Sequence, residues 1–491
     1  MSDHSAFPRT VALTGINARF THSALALYSL RSYCADLPYN YSIFEFSIRM
    51  SPGEILDELC REKPFLAGIS VYIWNAALVR RIIPELRKAV PNVKIVLGGP
   101  EASHAAAAWL EAFPEIDCII RGDGEAAFRN LLENEGRTSG KIIERKNPPF
   151  SRMPAAYRNS DFEILRKKYV YYEASRGCPF RCSYCLSSAM ESRVEFRSAA
   201  QVKEELETVQ ANAPRVIKFV DRTFNARGSL AREIWEYFIN SGKEVKAHFE
   251  IHPQMLGEAD FELLSRAPHG LFQFEIGVQS TNPCALSAVN RVMDWEVSRR
   301  NIGRLVALGI IHIHLDLLAG LPFDGMSSMI DSFNDVYSLH PDHIQLGFLK
   351  LLPGTPLDAR REEYGIRAES APPYKVLETR WLNSGEMALL EDVSKLVNVL
   401  HNTGRFRESL RMLEQFHSTP FALFSSLAAF WRAQGYGTHE KDGILNTKRI
   451  TVFALHIPGC RTPQVLQSIQ RDWASWRGRE ALPGAVRSLL S

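Results

Sequence analysis

The segment Val170-Tyr-Tyr-Glu-Ala-Ser-Arg-Gly-Cys178-Pro-Phe-Arg-Cys182-Ser-Tyr-Cys185 joins a strand-like run to three closely spaced cysteines. The thiols are separated by three and then by two residues, and no fourth cysteine lies nearby. Thiolates on such a loop can converge on one iron–sulfur cluster. Because three ligands leave one iron of a [4Fe–4S] cluster with a free coordination position, the segment predicts a cluster at which chemistry occurs.

A zinc site or three buried thiols would be the structural alternative for this segment. Zinc normally needs a fourth Cys or His at a regular spacing. The downstream candidates, His248 and His252, are far away in sequence. The spacing therefore favours the cluster.

Composition limits the class of protein. The 491 residues carry a net charge of +3 and no long basic run, which gives no indication of nucleic-acid binding. The five other cysteines are scattered and are expected to be small buried hydrophobic residues. Residues 1–9 contain no apolar core of a signal peptide, and the apolar stretch 421–431 is too short to span a membrane. We therefore expect a cytoplasmic protein that does not cross a membrane.

Residues 10–145 alternate strand-like and helix-like segments. Strands are predicted at 11–16, 41–46, 65–73, 94–97 and 118–121, with helices at 23–34, 52–62, 76–89 and 102–112. This alternation predicts a doubly wound parallel sheet, in which ligands bind at the carboxyl ends of the strands. Two of those ends are rich in glycine, Leu97-Gly98-Gly99-Pro100-Glu101 and Arg121-Gly122-Asp123-Gly124-Glu125. Glycine allows backbone to approach a large ligand or a phosphate closely, although turns also need it.

A second strand and helix alternation begins near residue 169. Strands are predicted at 169–174, 216–220, 247–251, 271–278, 312–318 and 343–349, which suits a partial (β/α)6 barrel of the TIM type, open on one side. Catalytic groups of such barrels stand at the carboxyl ends of strands. Helices are predicted at 385–399, 406–416, 420–433 and 464–473. The fold class is thus α/β with a mainly helical C-terminal domain, and the boundaries predicted are 1–146, a Pro-rich linker at 147–168, the barrel at 169–370 and the helical domain at 371–491.

The cysteine pattern C-x3-C-x2-C, with an aromatic residue before the third Cys, resembles the radical S-adenosylmethionine (radical SAM) superfamily. The resemblance implies that the open iron of a [4Fe–4S] cluster binds the amino and carboxylate groups of S-adenosyl-L-methionine (SAM). The two glycine-rich strand ends upstream resemble the cobalamin-binding domain of class B radical SAM proteins. The resemblance implies a cobalamin site at Gly98, Gly99, Pro100, Glu101, Gly122 and Gly124.

One departure from other cobalamin proteins concerns the cobalt ligand. The motif Asp-x-His-x-x-Gly, which supplies a histidine to cobalt, is absent. The resemblance therefore implies cobalamin held without a protein histidine. His22, in the loop after the first strand, is open to three roles: a cobalt ligand, a phosphate contact or an N-terminal residue of the next helix.

Polar residues on the barrel strands resemble the pattern of oxygen-independent coproporphyrinogen-oxidase-like radical SAM proteins. Carried over, Glu250, Gln279, Arg291 and Asp316 surround SAM. A guanidinium pairs bidentately with a carboxylate, so Arg291 suits the methionyl carboxylate. Asp316 and Gln279 suit the ribose hydroxyls, and Glu250 suits the amino and sulfonium charges.

The C-terminal segment Pro372-Pro373-Tyr374, followed by Trp381, resembles the tail of one uncharacterised cobalamin-dependent radical SAM subfamily. Tyr374 is a candidate proton or substrate contact, and no other catalytic side chain is assigned.

The resemblance implies a radical C-methyltransferase that acts through a 5′-deoxyadenosyl radical on an unactivated carbon of a small molecule or peptide. It also implies an electron donor such as a reductase, flavodoxin or ferredoxin. One alternative is an enzyme with the same cofactors that transfers no methyl group and catalyses cyclisation, ring contraction or oxidation. A non-catalytic cobalamin or cluster sensor is the other.

Overall fold

A computed structural model describes residues 8–186 and 193–490 of the protein. The first seven residues, which bear on the signal-peptide prediction, lie outside the described part. Within the described residues, no helix combines the length and the apolar character that crossing a bilayer requires.

The N-terminal part is one parallel sheet with helices on both faces, as predicted. Its strands run in the order β2-β1-β3-β4-β5-β6, and all neighbouring pairs are parallel. Apolar side chains form one buried cluster on each face of this sheet. The strands are β1 Thr10–Asn17, β2 Asn40–Ser47, β3 Leu66–Ser70, β4 Lys94–Gly98, β5 Cys118–Ile120 and β6 Ile142–Ile143. The helices are α1 Leu25–Tyr33, α2 Pro52–Arg61, α3 Ala76–Ala89, α4 Pro100–His104, α5 Ala106–Ala112 and α6 Glu125–Glu133.

Two N-terminal elements differ from the prediction. The strand expected at 65–73 ends at Ser70, because the carboxamide of Asn75 accepts a hydrogen bond from the Tyr72 N–H and turns the chain. The helix expected at 102–112 is divided into α4 and α5 at Ala105, whose backbone is not helical.

The central part is the predicted open barrel. Its six parallel strands run in the order β14-β13-β12-β11-β10-β7, so β7 and β14 are the two edge strands. The barrel strands are β7 Tyr169–Tyr172, β10 Val216–Phe219, β11 Lys246–Glu250, β12 Phe272–Gln279, β13 His312–Ala319 and β14 His343–Phe348, and a small antiparallel pair comprises β8 Ser175–Arg176 and β9 Glu195–Phe196. The helices are α7 Phe162–Leu165, α8 Ala199–Ala211, α9 Gly228–Asn240, α10 Glu258–Leu264, α11 Pro283–Ala288, α12 Trp295–Leu308, α13 Met326–Ser338 and α14 Pro356–Ala359.

The C-terminal part is mainly helical, as predicted, and shares one apolar core with the barrel. A two-stranded ribbon comprises β15 Arg367–Ala368 and β16 Val376–Glu378. The helices are α15 Ser384–Leu396, continued by a π-helical turn at Val397–His401, then α16 Arg407–Glu414, α17 Pro420–Ala433, α18 Gly443–Leu455, α19 Thr462–Arg477 and α20 Gly484–Leu490. The domain boundaries given above stay predictions.

Both edges of the barrel are covered by residues of the flanking parts. On β7, the Tyr169 N–H donates to the Thr21 carbonyl at 2.7 Å, and the Ser23 hydroxyl donates to the Tyr169 carbonyl at 2.8 Å. On β14, the Asn402 carboxamide accepts from the Ile344 N–H and donates to the Ile344 carbonyl, both at 2.9 Å. Unpaired strand edges otherwise expose backbone donors and acceptors.

Buried ion pairs reinforce the junction between the N-terminal part and the barrel. Lys168 Nζ lies 2.7 Å from Glu45 Oε2, with 3% and 4% of the two side chains exposed. The Arg31 guanidinium donates both of its terminal N–H groups to the Asp161 carboxylate at 2.6 Å. These contacts hold the first sheet against the β7 side of the barrel.

We predict that Lys168→Met destabilises the protein by about 3–5 kcal/mol, because it leaves the buried Glu45 carboxylate without its cation. The measurement is urea unfolding at neutral pH. The control is Lys203→Met, which removes an exposed pair with Glu233 and is expected to cost about 0–1 kcal/mol. Equal shifts for the two variants would contradict a buried pair at this junction.

Candidate functional site

The three predicted cluster cysteines lie on the loop after β7 and β8, at the carboxyl end of the barrel. None of the three forms a disulfide with another described residue, and Cys182 is buried. Cys185 N–H donates to the Cys182 carbonyl at 3.0 Å, which keeps the second half of the loop tight. Cys178 Sγ lies 3.6 Å from Thr223 Oγ1, just after β10. A short loop with three cysteines beside a strand end suits the ligands of an iron–sulfur cluster.

Arg291 brings the cluster loop together with β12. Its Nη1 donates to Cys182 Sγ at 3.7 Å, and its Nη2 makes a hydrogen bond to the Gly277 carbonyl. Gln279 ends the same strand in the left-handed region, with φ of 71°. A non-glycine residue in this conformation stores strain and is often found at functional sites. Arg291, which is predicted to contact SAM, thus joins β12 to a cysteine of the predicted cluster.

Glu250 and Asp316 are polar residues on β11 and β13 among apolar neighbours. Burial raises the pKa of Glu250 to about 7, against the opposing effect of Arg222. Burial also raises the pKa of Asp316, although His314 opposes this. Glu250 has no hydrogen-bond or ion-pair partner among the described residues. A carboxylate in this state is stabilised by a cationic ligand.

Glu275 was not assigned a role from the sequence, yet it lies at the centre of the polar side chains of the barrel. His248 Nε2 lies 3.0 Å from Glu275 Oε2, and His314 Nδ1 lies 3.8 Å from the same oxygen. Burial alone would raise the pKa of Glu275, but the hydrogen bond with His248 and the nearby His314 lower it to about 2. The alternation of polar and apolar residues along β12 and β13 is the sequence signal that would have predicted this polar interior.

The glycine-rich strand ends of the N-terminal sheet divide into two kinds. A Cβ atom built on Gly98 or on Gly122 meets no atom within 4 Å, so these positions face open space. A Cβ on Gly99 would lie 2.7 Å from the Val71 carbonyl oxygen, and Gly99 also has φ of 91°. A Cβ on Gly124 would contact Leu30 at 3.4 Å. Gly98 and Gly122 can therefore admit a ligand to the backbone, whereas Gly99 and Gly124 serve close packing.

Two exposed aromatic residues at the same edge were not found from the sequence. Phe20 is 67% exposed after β1, and Trp74 is 45% exposed after β3. The Trp74 ring stacks on Tyr72 with centroids 4.3 Å apart, and its Nε1 donates to the Ile16 carbonyl at 3.2 Å. Exposed aromatic surface beside open glycines fits a large, partly apolar ligand. The run Tyr72-Ile-Trp74 carried this signal, but Tyr72 and Ile73 were predicted to end a strand and Trp74 was assigned no role.

Glu101 and Tyr374 contact each other rather than open space. The Tyr374 hydroxyl donates to Glu101 Oε1 at 2.8 Å, and both side chains are buried. Burial raises the pKa of Glu101, while Tyr374 partly offsets this. Pro100 is the first residue of α4, where the missing N–H of proline costs nothing. The pair therefore fixes the start of α4 to the segment that follows the barrel.

His22 precedes α1, which begins at Leu25, so it is not an N-terminal residue of that helix, whereas the roles of cobalt ligand and phosphate contact stay predictions. Its Nδ1 lies 2.8 Å from the Tyr171 hydroxyl, and its backbone bridges Tyr169. The loop after β1 therefore continues the edge of the barrel sheet.

Family models assign each part of the chain. A B12 binding domain matches residues 11–132, and the radical SAM superfamily matches residues 172–336. The chain thus combines a B12-binding domain with a radical SAM domain. Residues 362–489 match DUF4080, a protein family of unknown function. The predicted recognition and fold class are thereby confirmed, and the predicted cofactors are confirmed at the level of these domain families.

Curated relatives are similar at low identity. The cobalamin-dependent radical SAM methyltransferase TokK of Streptomyces tokunonensis is 24% identical over 452 residues, which are 80% of this chain and 64% of TokK. The anaerobic magnesium-protoporphyrin IX monomethyl ester cyclase of Synechocystis sp. is 26% identical over 304 residues, 57% of this chain and 61% of the cyclase. The chain thus spans less than two thirds of the length of each of these two relatives.

Solved structures share the fold. The cobalamin-dependent radical enzyme OxsB, solved with aqua-cobalamin and SAM, covers 98% of this chain and 83% of its own, with a TM-score of 0.63 and 15% identity. The radical SAM methyltransferase TsrM of Kitasatospora setae, solved with cobalamin and a [4Fe–4S] cluster, covers 74% of this chain and 78% of its own, with a TM-score of 0.62 and 18% identity.

We predict that Tyr374→Phe destabilises the protein by about 1–3 kcal/mol, because the buried Glu101 carboxylate loses its hydrogen-bond donor. Thermal unfolding measures the effect. Tyr364→Phe is the matched control, since Tyr364 is also buried but its hydroxyl has no recorded partner among the described residues. A Tyr374→Phe protein as stable as the control would contradict this role for the pair.

Proposed function

We propose that the protein is a cobalamin-dependent radical C-methyltransferase acting on an unactivated carbon of a small molecule or peptide. The observation that carries the proposal is the contact between Arg291 and Cys182 Sγ. The iron that binds SAM through its carboxylate must lie beside these thiols, and Arg291 offers that carboxylate a guanidinium partner. The resemblance to relatives named as methyltransferases supports the transfer of a methyl group.

When bound, the cofactors would supply the reactive chemistry, namely the electron for cleavage of SAM from the cluster and the methyl group from cobalamin. The residues of the chain bind and orient. Cys178, Cys182 and Cys185 hold the cluster, and Arg291 holds the methionyl carboxylate. Glu250 faces the positive charge of SAM.

The remaining contacts are proposed from position. Asp316 and Gln279 bind the ribose hydroxyls. Gly98 and Gly122 let cobalamin approach the backbone, and Gly99, Pro100, Glu101 and Gly124 shape the loops around it. Tyr374 supports the cobalamin loop through Glu101 and stays a candidate proton or substrate contact. An electron donor of the flavodoxin or ferredoxin type, or a reductase, and a cytoplasmic location complete the proposal.

A second enzymatic function keeps the cofactors without methyl transfer. The similarity to the Synechocystis protein, which is named as a cyclase, favours this alternative. The Glu250 carboxylate has no hydrogen-bond or ion-pair partner among the described residues, and this favours either enzyme over a sensor.

Product analysis separates the two enzymatic functions. Cluster-reconstituted protein is incubated anaerobically with SAM, reductant, hydroxocobalamin and candidate substrates. A methyltransferase produces both S-adenosylhomocysteine and 5′-deoxyadenosine. Formation of 5′-deoxyadenosine without S-adenosylhomocysteine would contradict methyl transfer. Failure to cleave SAM with any substrate would contradict both enzymatic functions.

Two variants test which proposed cofactor site each of the two products depends on. We predict that Cys182→Ala abolishes formation of 5′-deoxyadenosine, because the cluster loses a ligand. Gly98→Trp is expected to abolish S-adenosylhomocysteine by filling the approach to the backbone. The control is Gly303→Trp, at another position where a Cβ meets no atom within 4 Å. Equal loss in both tryptophan variants would contradict a cobalamin site at Gly98.

The affinity for SAM is predicted to fall about tenfold from pH 8 to pH 6. The pKa of Glu250 is about 7 in the free protein, and only the charged carboxylate attracts the positive charge of SAM, so protonation weakens binding. Calorimetric titration of reconstituted protein at the two pH values measures the ratio. In Glu250→Gln this tenfold contribution to the pH dependence of SAM affinity should be lost. The same ratio of affinities in the variant and in the natural chain would contradict the contact.

A further inference from the structure

The inner surface of the barrel carries a row of polar side chains. Phe272, Phe274 and Ile276 of β12 belong to the apolar core, so Glu275 between them faces the opposite side of the sheet. The strand registers place four polar residues side by side across β11 to β14: Glu250, Glu275, His314 and His343. Asp316 lies two residues after His314 along β13 and therefore on the same face of the sheet.

We propose that Glu275, His314 and Asp316 form a binding site for a divalent metal ion inside the barrel. Asp316 contributes Oδ1, the oxygen beside His314, so its second carboxylate oxygen stays available for the ribose contact proposed above. One donor atom of each residue lies within 4.8 Å of the others. Ions bonded to oxygen at about 2.0–2.6 Å hold their donors roughly 3–5 Å apart. The three donors are therefore already near the spacing that one ion requires.

Unsatisfied buried atoms point independently to a ligand at this place. His314 is only 8% exposed. Its Nε2 lies 3.0 Å from Asp316 Oδ1, yet the two atoms are not aligned for a hydrogen bond, and neither has a hydrogen-bond partner among the described residues. Buried polar atoms are nearly always satisfied. An ion shared by both atoms would satisfy them together.

Neighbouring residues orient the proposed ligands. The His248 imidazole lies 3.0 Å from the Glu275 carboxylate. The His314 ring packs on His343 with centroids 4.0 Å apart, and His343 Nε2 lies 3.2 Å from Asn402 Nδ2. Ligands of metal ions are typically held by such outer hydrogen bonds. Asn402 brings the C-terminal part of the chain into this support.

The charge of the barrel interior also suits a cation. Glu275 and Asp316 are largely buried, with 26% and 14% of their side chains exposed, and Glu250 is close enough to repel both. Lys218 and Arg291 are the nearby cations. Two carboxylates with one imidazole suit ions that accept both oxygen and nitrogen, such as Mn²⁺, Fe²⁺ or Zn²⁺.

Titration with Mn²⁺ tests the site without SAM and without turnover, so its result does not depend on the proposed function. Holoenzyme with oxidised, EPR-silent cofactors is titrated, and free Mn²⁺ is followed by EPR. We expect one equivalent to bind, and at least a tenfold loss of affinity in Glu275→Gln and in His314→Gln. His269→Gln, at an exposed histidine, is the control and should bind as the natural chain does.

A second measurement needs no variant. Pulsed EPR of Mn²⁺ bound to the natural chain should show the coupling of one imidazole nitrogen. Absence of stoichiometric binding, absence of the nitrogen coupling, or unchanged affinity in folded His314→Gln would each overturn the site.

Discussion

The open barrel depends on the covering of its two edge strands. A six-stranded parallel sheet that does not close leaves backbone donors and acceptors on β7 and β14, which would cost free energy or invite association. The loop after β1 covers β7 through Thr21, His22 and Ser23. The C-terminal part covers β14 through Asn402 and through Ser394, which donates to the Leu346 carbonyl at 2.8 Å. Both flanking parts are therefore held in place by the backbone of the barrel.

This arrangement fixes where the two proposed cofactor sites lie. The loop that covers β7 follows β1. The carboxyl end of β1 lies at the same end of the N-terminal sheet as Gly98 and Gly122. The hydrogen bond between Tyr374 and Glu101 ties that edge to the other side of the barrel. The segment around Tyr374 also pairs with the end of β14, since Leu351 N–H donates to the Tyr374 carbonyl at 2.9 Å. The C-terminal region of unknown function thus contacts both the end of β14 and the glycine-rich strand ends of the N-terminal sheet.

The sequence was sufficient for features that depend on local pattern. Alternating apolar segments predicted both parallel sheets, and the Cys178 to Cys185 spacing predicted the cluster loop. It was insufficient for contacts between distant residues. Nothing local to Tyr374 indicated that its hydroxyl would meet Glu101, and nothing local to His22 indicated Tyr171. The alternation along β12 indicates that Glu275 faces the polar side of the sheet, but its partners His248 and His314 lie on other strands, so the sequence did not indicate these contacts.

The central claim is that one chain holds an iron–sulfur cluster at the barrel end and cobalamin at the glycine-rich edge of the N-terminal sheet. Crystals of reconstituted protein, measured at the iron and cobalt absorption edges, test it most directly. The account predicts one iron cluster beside Cys178, Cys182 and Cys185 and one cobalt peak beside Gly98 and Gly122. A cobalt peak elsewhere on the chain, or an iron site away from the three thiols, would contradict it.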